Sequence, residues 1–167
     1  EAKVPVKLKN PKYAKAFEFF LDMYSIPAYV EIDPTFFIFL TFPFFFGMML
    51  GDIGYGLLSF AIFWLLKKKM PQVKSFFNIL LLSSFTSVIF GFVFGEFFGF
   101  EELFGFHIPH LISRSHEMFS LLYMALIVGV MHINLGLVIG FVNEANLHGK
   151  LMAFYKKGSW MLLQISI

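Results

Sequence analysis

The run Gly47-Met48-Met49-Leu50-Gly51-Asp52-Ile53-Gly54-Tyr55-Gly56 decides the fold, because it sets a carboxylate and four glycines inside an apolar stretch from Pro34 to Leu66. A single helix of about 33 residues would be roughly 50 Å long, against about 30 Å of hydrocarbon in a bilayer. Each glycine weakens a helix interior by about 1 kcal/mol relative to alanine. A break around Asp52 is therefore expected, with short helices over 34–50 and 54–66.

The distribution of positive charge tests that break independently, since Lys and Arg near span ends favour the cytoplasmic side. Lysines lie at 3, 7, 9, 12 and 15, at 67, 68, 69 and 74, and at 150, 156 and 157. A single crossing from Pro34 to Leu66 would put the second cluster opposite the first. If the chain enters, turns at Gly51–Gly54 and returns, every lysine shares one face. Each limb of about 15 residues is roughly 22 Å, short of a full crossing. The pair reads as a re-entrant hairpin or as two short helices in a thinned bilayer. Protein or water, not lipid, must satisfy the backbone at the turn.

Working outward, 58% of the 167 residues are apolar and only 14% charged, where a soluble domain carries about a quarter charged. Water is not this chain's main solvent. Spans are expected over 75–98 and 118–143, with the start of another over 158–167. A polar, helical connection is expected over 144–157. The predicted fold class is all-α, a polytopic transmembrane helical bundle with a broken or re-entrant first helix pair. Residues 1–30 are expected to form an amphipathic helix and linker on the cytoplasmic side, and 31–167 a partial transmembrane domain.

Asn10-Pro11 has the composition of a helix start. Tyr13, Ala16, Phe17, Phe20, Leu21 and Tyr24 then recur at helical spacing, giving a face for the membrane interface or for a soluble partner. There is no cysteine, hence no disulfide or thiolate chemistry. No cleavable targeting pattern is present, and the chain reads as an internal piece of a longer protein.

Few residues suggest chemistry. Asp52, in an apolar layer, reads either as an ion or proton relay or as a carboxylate capping the amides of Ile53, Gly54 and Tyr55. Glu96, at the outer end of its span, reads as a solvated end-cap or as the lining of a polar opening. His132 and Asn134 lie deep in the third apolar run. There a neutral imidazole hydrogen-bonded between helices competes with a proton relay. Gly47/Gly51, Gly91/Gly95/Gly99 and Gly136/Gly140 follow the spacing that lets helices approach closely, and Gly54 and Gly56 belong to the break. His107, His110 and His116 lie near glutamates in the lysine-free 100–117 loop, but Pro109 disrupts a regular ligating face, so no metal is expected. Phosphate loops, nucleophile elbows and zincin helices are absent. The chain is read as non-catalytic, without cofactor or nucleic acid.

The stretch Thr41-Phe-Pro-Phe-Phe-Phe-Gly-Met-Met-Leu-Gly-Asp-Ile-Gly-Tyr-Gly-Leu57 resembles the membrane-domain start of the rotary ATPase stator subunit. That is subunit a of vacuolar-type ATPases, or subunit I of archaeal and bacterial relatives. The resemblance includes Phe17-Glu-Phe-Phe-Leu-Asp-Met-Tyr24, Glu31-Ile-Asp-Pro34, Gly91-Phe-Val-Phe-Gly-Glu96 and His132-Ile-Asn-Leu-Gly136 through Asn143. The compact outer loop is more similar to the archaeal or bacterial form.

It implies a stator that scaffolds ion half-channels beside a proteolipid ring. The implied partners are that ring, a peripheral stalk, soluble ATPase subunits and membrane lipid, and the implied location is an archaeal or bacterial plasma membrane. The family's essential arginine lies on a later helix, so Arg114, in a loop, does not inherit that role. Asp52, Glu96, His132 and Glu144 stand as candidates for polar cavity lining. The alternatives are a secondary transporter with a discontinuous helix and a structural membrane anchor.

Overall fold

In a computed structural model of the chain, residues 7–103, 105–114 and 117–166 are described. Helix dominates. A 3-10 turn, Lys15–Phe17, leads into α1 (Glu18–Tyr24), followed by α2 (Thr35–Leu50), α3 (Ile53–Lys69), α4 (Lys74–Phe94) and α5 (Met118–His148). The short α6 (Lys150–Ala153), a π-helical turn (Phe154–Gly158) and α7 (Ser159–Ile165) follow. Two-residue strands β1 (Glu102–Leu103) and β2 (Phe106–His107) pair antiparallel in the loop before α5, an addition to the expected all-helical fold.

Asn10 does not cap a helix as its position before Pro11 suggested. Its Nδ2 donates to Glu18 Oε1 at 3.1 Å and Asp33 Oδ2 at 2.7 Å, charge-assisted bonds that tie it to α1 and to the start of α2. The Pro11 carbonyl closes the first turn instead, accepting from Ala14 and Lys15. The apolar face of this segment turns inward, with Ala14, Phe17 and Leu21 buried. Phe17 meets Phe39 edge-on at 5.4 Å, Phe20 meets Phe42 at 4.9 Å and Phe19 meets Phe76 at 5.5 Å. Such ring pairs add about 0.5–1.5 kcal/mol each beyond area burial. They dock α1 on α2 and α4.

Helices α2 and α3 both pack on α4 rather than on each other. Thr86 reaches Pro43, and Phe90 meets Phe44 one turn further along, so α2 runs parallel to α4. Ile53 lies at Gly91 while Gly56 lies at Ser84 and Val88, so α3 runs antiparallel. Small residues permit this. A Cβ on Gly47 would meet Thr86 at 2.8 Å, and one on Gly56 would meet Val88 Cγ2 at 2.7 Å.

Among the described residues two helical stretches, 71–94 and 118–148, are long and apolar enough to cross a membrane, and Thr35–Leu50 is shorter. Helix α3 runs past Leu66 to take in Lys67–Lys69, where cations favour the C-terminal end of the helix dipole. Helix α5 extends to His148 and no residue in it is buried. Gly149, at φ 89°, ends it, so the 144–157 connection is interrupted. Gly158 is both the last residue of the π turn and the N-cap of α7.

Lys12 and Lys15 share a polar hollow with Ser75 and Asn78 at the start of α4. At the other side of the chain Asn143 Oδ1 accepts from the Ile32 amide at 2.9 Å. The described lysines thus gather at one end of the helices, opposite the α2–α3 junction.

Candidate functional site

At that junction, α2 ends at Leu50 and the chain turns through Gly51, at φ 29° and ψ 52°. A side chain is doubly unwelcome there, since a Cβ would also strike the Phe94 ring at 2.5 Å. Asp52 then extends, at φ −143° and ψ 131°, and opens α3. Its Oδ1 accepts from the Tyr55 amide at 2.7 Å, the N-cap geometry. The same oxygen accepts from the Phe98 amide at 3.0 Å, and Oδ2 from the Gly99 amide at 2.7 Å. Asp52 is 2% exposed, so three backbone amides replace the water its charge has lost.

Those two extra amides come from a tight turn past the end of α4. Phe97 and Phe100 exchange backbone hydrogen bonds of 2.9 and 3.1 Å, and the central residues Phe98 and Gly99 both have positive φ, 51° and 78°. A type I′ turn requires that. Phe98 is the single non-glycine residue with positive φ among those described. Its ring packs edge-on to Tyr55 at 5.1 Å, and the Asp52 bond to its amide holds the turn in place.

The other side of the break is closed by Arg114. Its Nη2 donates to the Met48 carbonyl at 2.9 Å and the Met49 carbonyl at 3.3 Å, two of the acceptors that the last turn of α2 leaves free. Its Nη1 pairs with Glu96 Oε2 at 3.1 Å, and its guanidinium carbon lies 4.3 Å from the centre of the Phe94 ring. A cation meets the negative end of α2 and an anion the positive end of α3. The chain is also stitched through its backbone, as Ile53 donates to the Glu96 carbonyl at 2.9 Å.

Glu96 lies in the turn beyond α4. Burial pushes its carboxyl above the ordinary value, Arg114 pulls it down, and the negative charge of Asp52 adds to the upward push. Burial prevails, so the carboxyl stands above its ordinary value. Nearby, Ser113 Oγ donates to Glu101 Oε1 at 2.9 Å.

The remaining predicted residues lie elsewhere. His132 is on α5, its ring edge-on to Phe45 at 4.8 Å, beside a cleft between α2 and α5 lined by Leu40, Phe44, Val128 and Met131. Asn134 donates to Val130 of its own helix. Glu144 Oε1 accepts from Lys156 Nζ at 2.7 Å and approaches His148 Nδ1 at 2.9 Å, tying the end of α5 to the π turn. Gly54 lies against the Phe98 ring, Gly140 against the Lys157 stem, and Gly136 faces open space. His107 pairs with Glu102 across the two strands and His110 turns to the Ile108 carbonyl, while His116 lies outside the described residues. Among the described residues, no three His, Asp or Glu side chains converge as metal ligands.

Asp52 and Glu96 are therefore brought together, and His132 and Glu144 are not. Arg114 is the functional-site residue that the sequence reading set aside. The signal was that it is the one arginine beside twelve lysines, the side chain whose planar fork serves several acceptors at once.

The V-type ATPase 116 kDa subunit family model matches residues 1–110. The A-type ATP synthase subunit I of Archaeoglobus fulgidus is 38% identical over 97% of this chain, which covers 28% of that protein. The subunit I of Methanothermobacter thermautotrophicus is 38% identical over 98% of the chain, 26% of its own length. The V-type ATP synthase subunit I 2 of Treponema pallidum is 28% identical over 96% of the chain, 42% of its own length. The chain thus spans about a quarter of the length of the archaeal relatives.

Proposed function

Because the chain belongs to the V-type ATPase 116 kDa subunit family, we propose that it forms the opening part of the membrane stator of a rotary ATPase that moves protons or sodium ions. In this reading α2 and α3 enter and leave the bilayer as a broken pair, α4 and α5 cross it, and the lysine-bearing end is cytoplasmic. The segment is non-catalytic, and it positions the later, ring-facing part of the stator beside the proteolipid ring.

The observation that carries a scaffolding role is the Asp52 carboxylate. Buried, with three amide donors drawn from α3 and from the turn beyond α4, it ties two elements together, which supports a scaffolding role. Family membership favours the stator over a secondary transporter. The test is purification of the full-length parent, expected to bring down a proteolipid ring and a peripheral ATPase; isolation as a self-sufficient transporter would overturn the proposal. Asp52→Asn, Glu96→Gln and His132→Ala in that parent separate the roles. Impaired assembly supports scaffolding, whereas normal assembly with lost ion pumping at any of them makes that residue part of the ion path.

A further inference from the structure

The docking of α1 on the start of α4 leaves a polar hollow of about 320 Å³, lined by Lys12, Lys15, Glu18, Asp22, Ser75 and Asn78. Two cations and two carboxylates share it without joining one another. The ion pairs among the described residues involve none of the four, and Glu18 accepts instead from Asn10 Nδ2 at 3.1 Å. Lys12 and Lys15 precede Glu18 and Asp22 along the segment, so the positive and negative ends of the hollow are set about a turn apart.

The surface that continues from the hollow distinguishes it from an ordinary hydrated rim. At about 100° per residue, Ser75, Asn78, Leu82, Phe85, Ile89 and Phe92 form one row of α4, on the side away from the buried Ser83, Ser87 and Gly91. Neither neighbouring helix covers that row, since Thr86 is turned to α2, and Ser84 and Val88 to Gly56 of α3. Phe85, Ile89 and Phe92 are 55%, 47% and 61% exposed, and a contiguous exposed apolar surface marks a membrane or binding contact. At 1.5 Å per residue Phe85 lies about 10 Å and Ile89 about 16 Å along the axis from Asn78. One leaflet's hydrocarbon is roughly 15 Å deep. A charged hollow thus opens onto an apolar track one leaflet long.

We propose that the hollow and this row together bind one phospholipid whose headgroup carries a phosphate and a primary ammonium, an ethanolamine-type lipid of the leaflet at the lysine-bearing end. Lys12 and Lys15 donate to the phosphate, Glu18 and Asp22 accept from the ammonium, and an acyl chain lies along Phe85 and Ile89. Such charge-assisted hydrogen bonds are the stronger kind. Two lysines and two carboxylates leave the hollow without net charge, so a purely anionic headgroup meets repulsion as well as attraction. A choline headgroup has no N–H to give the carboxylates. The site rests on α4 crossing the bilayer, as in the stator reading.

For the test, the full-length parent is reconstituted in phosphatidylcholine vesicles that hold a minor fraction of one lipid with a photoactivatable acyl chain and an ethanolamine, choline or glycerol headgroup. Labelled peptides are then mapped by mass spectrometry. The ethanolamine probe is expected to label the α4 segment carrying Phe85 and Ile89 several times more than either of the others. The double substitution Lys12→Gln, Lys15→Gln should cut that labelling several-fold, and Asp22→Asn should shift it toward the glycerol probe. All three positions are exposed, so the substitutions disturb no core contact. Excess water-soluble phosphoethanolamine, which has no acyl chain, should leave the labelling unchanged. Equal labelling by the three probes, labelling indifferent to the substitutions, or competition by phosphoethanolamine overturns the proposal. Absence of label on α4 overturns it too, by placing another part of the protein on that row. Recovery of a proteolipid ring and a peripheral ATPase is scored in the same preparation, so the lipid site and the stator reading fail separately.

Discussion

The Asp52 carboxylate does the work of a cap and of a tertiary strut with one pair of oxygens. Asp52→Asn keeps the size but turns one oxygen into a donor facing an amide N–H. Hydrogen bonds to a charged group contribute about 1.5–3 kcal/mol each, so the substitution should destabilise the solubilised full-length protein by about 2 kcal/mol or more, read from its denaturation midpoint. The Asp52 cap on the Tyr55 amide was legible from glycine and aspartate spacing; the bonds to Phe98 and Gly99 were not, being 46 and 47 residues away. Arg114 is the complementary case. Lysine carries the same charge but cannot reach Glu96 and two carbonyls while lying on Phe94. Arg114→Lys is expected to cost about 1 kcal/mol, a modest value because the side chain is 27% exposed. In a double-mutant cycle with Glu96→Gln the effects should not add.

At the scale of elements, glycines sort by what lies opposite them rather than by their spacing. A Cβ on Gly91 would press on the Ile53 amide and lie 2.6 Å from the Asp52 carbonyl carbon, with no flexible side chain to yield. Gly91→Ala should force α3 off α4 and cost about 1–3 kcal/mol in the same unfolding measurement. Gly136 shares the small-residue spacing but has nothing within 4 Å. Gly136→Ala should therefore gain about 1 kcal/mol of helix propensity in this segment; destabilisation in the full-length protein would place another helix against that face. Helix existence was readable because hydropathy and glycine content are local properties. Which face of α4 meets α2 and which meets α3 was not, since α4 is apolar nearly all round and its periodicity names no partner.

For the molecule as a whole, the described lysines gather at one end and the Asp52–Glu96–Arg114 cluster at the other. With α4 and α5 crossing a bilayer, single cysteines at Lys68 and Lys156 are expected to be labelled by an impermeant thiol reagent only from the cytoplasmic side, and one at Gly105 only from the outer side. Labelling of Lys68→Cys and Lys156→Cys from opposite sides would refute the return of the chain at Asp52. Composition, the length of apolar runs and the positions of lysines determined by themselves that this is a helical, membrane-suited chain interrupted at Gly51–Asp52. Those quantities express the partition of each segment between water and hydrocarbon, which depends on the segment alone. Only the tertiary structure decided that Arg114 closes the end of α2 from 66 residues away and that Asp52 holds the Phe97–Phe100 turn. Those are long-range pairings of polar groups under burial, where position in the folded chain, and not residue type, sets which donor finds which acceptor.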